Sequence, residues 1–99
     1  MSNNYYPFWI KKHLERLNAK EVQINFDLYL TKKLCTRNLE DDKIIETIRD
    51  GRVILLKSLW PGKIVFERYF GKENETYIVV TIFMKHHIEV KTSWKKKGK

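Results

Sequence analysis

Apolar residues Ile10, Leu14 and Leu17 recur at helical spacing behind Pro7, which suits a first helical turn, so the pattern predicts a helix ending near Asn18. Over 21–26 the period shortens. Val22, Ile24 and Phe26 alternate with Gln23 and Asn25, the signature of a short strand or extended link. Asp27 can cap a second helix carrying Leu30 and Leu34 one turn apart, with Arg37 and Asn38 ending it. Asn38 can in turn cap a third helix, where Glu40, Asp41 and Asp42 sit at the positive end of the dipole and Ile44, Ile45 and Ile48 form the apolar stripe. Gly51 stands where a left-handed residue closes a helix.

From Arg52 onward, segments 52–57, 63–70, 77–84 and 87–94 are rich in Val, Ile, Phe and Tyr and are separated by short turns. Short connections make neighbouring strands antiparallel. The expected class is α+β: N-terminal helices packed on one face of a curved antiparallel sheet of about four strands, with 77–84 central because it is apolar on both faces. Residues 1–99 are read as a single domain with a short basic tail from about Lys95.

Charge changes the picture more than composition does. Residues 1–50 carry nine Lys/Arg against eight Asp/Glu, whereas 51–99 carry eleven against four, so nearly all of the net +8 belongs to the strand-rich half. Such a surface attracts polyanions. A single cysteine, Cys35, excludes an intramolecular disulfide, and a cytoplasmic location is expected. No apolar run reaches the roughly 18 residues that span a bilayer, and no membrane partner is expected.

Alternation places Ile88, Val90 and Trp94 on one face of the last strand and His87, Glu89, Lys91 and Ser93 on the other. In 63–70 the polar set is Lys63, Glu67 and Tyr69 with Val65, while Arg68 interrupts the apolar set. Arg68 therefore needs a carboxylate partner, a sheet edge or an anionic ligand. The polar face would gather acid, imidazole, phenol and ammonium groups, which can bind phosphate and move protons. For His87 and Glu89 taken singly, solvation of the sheet is the plainer reading. His86 and His87 point to opposite faces and lack a third ligand, so no metal and no cofactor are expected.

The stretch 28–51, containing Thr-Lys-Lys-Leu-Cys-Thr-Arg-Asn-Leu-Glu-Asp-Asp-Lys-Ile-Ile-Glu-Thr-Ile-Arg-Asp-Gly, with Phe66-Glu67-Arg68-Tyr69 and Val90-Lys91-Thr92-Ser93-Trp94, resembles the RelE/HigB/ParE-like toxin superfamily. It departs from that pattern at Tyr29, where such domains often have His, and at Asn38, where they have Gly. The resemblance implies a metal-independent endoribonuclease in which the ribose 2′-hydroxyl attacks the adjacent phosphodiester, and a neutralising antitoxin as partner. Arg68 and Lys91, with Lys95 as a further candidate, would then stabilise developing charge, and His87, Glu89 or Tyr69 would transfer protons. Lys63, Lys85, Trp94, Lys95, Lys96 and Lys97 would hold RNA. The alternative is a non-catalytic nucleic-acid-binding protein using the same basic face, with Trp94, Tyr69 or Trp60 stacking on bases. A third reading is an interaction module that offers a sheet edge to another chain.

Overall fold

The computed structural model describes residues 6–19 and 22–99. In chain order the elements are α1 (Phe8–Asn18), β1 (Gln23–Phe26), α2 (Leu28–Lys33), α3 (Asp41–Asp50), β2 (Arg52–Val53), a 3₁₀ turn (Leu55–Lys57), β3 (Lys63–Phe70), β4 (Glu75–Phe83) and β5 (His87–Lys97). The protein is α+β, but its sheet has five strands rather than about four, in the order β1-β5-β4-β3-β2. It is also mixed. β1 runs parallel to β5, with Ile24 opposite Ile88 and Phe26 opposite Val90, while the other pairs are antiparallel. The alternation expected from Glu21, which lies outside the described residues, is over Gln23–Phe26 that of an edge strand, whose partner lies more than sixty residues away in the chain.

One core joins the helices to the sheet. Ile10, Leu14 and Leu17 of α1, Leu30 of α2 and Ile44 and Ile48 of α3 cluster with Ile64, Phe66, Tyr77, Val79, Phe83, Ile88 and Val90. Burying each aliphatic side chain of this kind contributes about 1.5–3 kcal/mol against the entropy of ordering the chain. Tyr77 sits at the centre, fully buried, with its ring edge-on to Phe70 at 5.3 Å. Its hydroxyl accepts the Glu40 backbone N–H at 3.1 Å.

That bond corrects the capping expected of Asn38. Glu40 occupies the N-cap of α3 and makes no side-chain cap, so the phenol of a core tyrosine satisfies one backbone donor at the helix start. Asn38 instead takes the left-handed conformation, φ 55°, in the turns after α2. Gly51 is not left-handed: its φ is −80° and ψ −178°. Its requirement is space, because a Cβ there would fall on the Thr47 carbonyl oxygen and lie 2.5 Å from that of Glu67.

The second correction concerns the basic tail. Lys95, Lys96 and Lys97 continue β5 opposite Tyr77, Thr76 and Glu75. Gly98 closes the end, donating its N–H to Asn74 O at 2.8 Å and accepting from Thr76 Oγ1 at 2.6 Å. The N-terminal half of β4 has backbone groups to satisfy, and these residues supply the partners. Segment 52–57 is likewise only two residues of strand before the chain turns through the 3₁₀ segment.

Candidate nucleic-acid interface

A β-bulge decides which side chains share the open face. Val80 pairs with Thr92 and Thr81 with Val90, so Lys91 is the extra residue in β5. The alternation inverts there. Ser93 turns into the core side, fully buried, and donates to Ile78 O at 2.8 Å. Trp94 turns outward, contrary to its expected place beside Ile88 and Val90. It lines a surface cavity of about 360 Å³ with Val65, Val80, Leu56, Lys57 and Lys63. Lys57 Nζ lies 5.7 Å from its ring centroid.

Around Trp94, the face away from the helices carries Lys63, Val65, Glu67 and Tyr69 of β3, Thr76, Ile78, Val80 and Ile82 of β4, and Thr92 and Lys96 of β5, by strand alternation and register. Its floor is apolar, and its margins carry lysines together with Glu67 and Glu89, which are paired with Arg52 and Lys91. Tyr69 and Trp94 flank β4, opposite Thr76 and Ile78, so they stand about 7 Å apart along the strands and roughly 10 Å across them. Lys99 Nζ lies 5.1 Å from the Tyr69 ring, whose hydroxyl donates to Asn74 Oδ1 at 2.8 Å. Among the described residues, Lys57, Lys63, Lys96 and Lys99 form no ion pair.

The residues expected to act together in catalysis are dispersed. Arg68 is on the helix side, ion-paired with Glu46 at 3.0 Å and Asp50 at 3.3 Å, both from α3. Of the three places open to an arginine in the apolar set, Arg68 takes the first, a carboxylate partner. His87 and Glu89 lie on the open face, but Glu89 pairs with Ile82 whereas Tyr69 pairs with Thr76. Six residues of strand separate those rows, roughly 20 Å. A single phosphodiester does not span that distance. Of the five, Arg68 and Tyr69 line a common cavity, of about 400 Å³ at the outer end of β3, with Arg52, Glu67 and Lys99. Arg52 Nε meets Glu67 Oε2 at 2.6 Å.

Lys91 is held at the bulge by Asp27, the N-cap of α2, at 3.0 Å, and by Glu89 at 3.7 Å. Asp27 also accepts the Tyr29 N–H at 2.8 Å. The hydrogen bond from Lys91, then that from Tyr29, holds the Asp27 carboxyl below the usual carboxylate range, while bonding to Asp27 raises Lys91. A depressed carboxylate contributes stability that is present above its unfolded pKa and lost as pH falls through the folded value. Urea midpoints measured between about pH 2 and 5 should therefore fall less steeply for Asp27→Asn than for the parent. Parallel curves would remove this pair as a source of acid lability.

The remaining cations divide by side. Lys95 faces the helices, bound to Glu75 at 3.0 Å, and lies 6.0 Å from the Tyr77 ring. Lys97 is opposite Glu75 and exposed. Lys85 is exposed in the β4–β5 turn, where its carbonyl accepts from Arg16 at 2.9 Å. Sequence reasoning missed Lys57, Lys99 and Arg52, brought to the site by the turn after β2, by the closing of β5 and by the pairing of β2 with β3. Among the described residues no helix is long and apolar enough to cross a membrane. Comparison with protein-family models, with curated proteins and with solved structures gives no match.

Proposed function

We propose that this protein binds single-stranded nucleic acid, RNA in the first instance, on the open face of its sheet. The supporting observation is that two aromatic rings, Tyr69 and Trp94, share that face with four lysines free of carboxylates, two of them seated against those rings. Base stacking on an aromatic ring with phosphate held by an adjacent ammonium is sequence-tolerant binding, and it requires unpaired bases. The test is titration of a labelled 12-nucleotide RNA in EDTA at several salt concentrations. If four lysines each neutralise one phosphate, log K should fall against log salt with a slope of about −3. A flat response, or equal affinity for duplex RNA, would sink the reading.

The ribonuclease expected from the RelE-like resemblance is read out in the same tubes. Attack by a 2′-hydroxyl needs a base, an acid and cations around one phosphate. The cavity at the end of β3 brings Glu67, Tyr69, Arg68 and Lys99 into one lining, with Glu67 bound to Arg52 and Arg68 to Glu46 and Asp50. Metal-free cleavage with cyclic-phosphate ends, lost in Arg68→Ala, would place catalysis there; intact but bound RNA favours the binding module.

A further inference from the structure

On the far side of Lys63 from Trp94, the turn at 59–63 and the β4–β5 turn border a groove of about 580 Å³ lined by Leu59, Trp60, Ile82, Phe83 and Met84 together with basic residues and no acidic one. Leu59 is 65% exposed and Trp60 69%. Leu56, wholly exposed, extends the apolar surface through the neighbouring cavity, which shares Leu59 and Lys63. A contiguous patch of large exposed apolar side chains on a small domain marks a contact surface.

The charges around it are uncompensated. Arg16 donates to the carbonyls of Met84 and Lys85 at 2.6 and 2.9 Å, which fixes the guanidinium without neutralising it. Beside it His13 packs on Phe83 at 4.9 Å and meets Pro61 O at 2.8 Å. Among the described residues, Arg16, Lys63 and Lys85 have no carboxylate partner.

We infer that this groove docks a segment of a partner protein whose apolar side chains are flanked by aspartate or glutamate. Charge complementarity selects that occupant. Nucleic acid would match the cations and find one ring in Trp60, but it would leave the larger apolar surface of Leu56, Leu59 and Met84 with no ring to stack on its bases. A second copy of this chain would bring its own net charge of +8 against the same cations. An apolar acidic segment meets both features, with Trp60 as the central anchor.

The inference stands independently of the RNA reading and is tested by selecting random displayed peptides on the intact folded protein. Enriched peptides should combine Leu, Phe or Trp with Asp or Glu. The strongest of them, measured by calorimetry, should lose at least tenfold in affinity on Trp60→Ala and on Lys85→Glu. Both residues are exposed, so circular dichroism should match the parent. RNA affinity should be unchanged in Trp60→Ala, which separates this groove from the open face. Failure to enrich any peptide, enrichment without acidic residues, or affinity indifferent to both substitutions would overturn it.

Discussion

Tyr77→Ala should destabilise the domain by about 4 kcal/mol, the cost of emptying a fully buried aromatic site that the surroundings cannot close. Tyr77 touches both layers. Its ring meets Phe70 within the sheet, and its hydroxyl accepts the N–H of Glu40, the N-cap of α3. Tyr77→Phe keeps the ring and loses the hydrogen bond, so its cost should be near 1 kcal/mol. Against the 5–15 kcal/mol that holds an ordinary domain together, the alanine variant would be marginal at room temperature. Urea unfolding should place its midpoint about 2 M below the parent. A loss under about 1 kcal/mol for Tyr77→Ala would mean that the helices do not depend on this residue for docking.

Alanine at Trp94 or Tyr69 should weaken binding of a short single-stranded RNA by about 1–3 kcal/mol each, between five- and 150-fold. The two substitutions test different sources of information. Tyr69 belongs to the polar face of β3 by simple alternation, whereas Trp94 reaches that face only because the bulge at Lys91 inverts the alternation of β5. Lys57→Ala should lower the salt slope by about 0.7 with a smaller loss of affinity, as expected of a phosphate contact. Fluorescence anisotropy against an unstructured oligonucleotide reads all three. Parent-like affinity in both aromatic variants would remove the open face as the interface, whatever the lysines do.

Much of this molecule is local, and local features are legible. The helical spacing of Ile10, Leu14 and Leu17, the Asp27 cap and the apolar strands 63–70 and 77–84 each follow from residues within a turn or two of one another. So does the placement of Tyr69 and Lys63 on the polar face and the need of Arg68 for a carboxylate, a sheet edge or an anionic ligand. The identity of those carboxylates, Glu46 and Asp50, is not local, since it depends on α3 crossing the end of β3.

By itself, then, the sequence determined an α+β chain, the apolar faces of its helices and a basic strand-rich half. Tertiary structure decided that β1 pairs with β5, that Lys95, Lys96 and Lys97 belong to a strand, and that Trp94 and Ser93 exchange faces. The physical reason is that period-two alternation records only which of two faces each side chain of a strand points to. A bulge, a parallel partner or a strand's last residue is set by the hydrogen-bonding groups of the opposing strand, β4 for the bulge and the end of β5 and β5 for β1, whose demands no window of neighbouring residues contains.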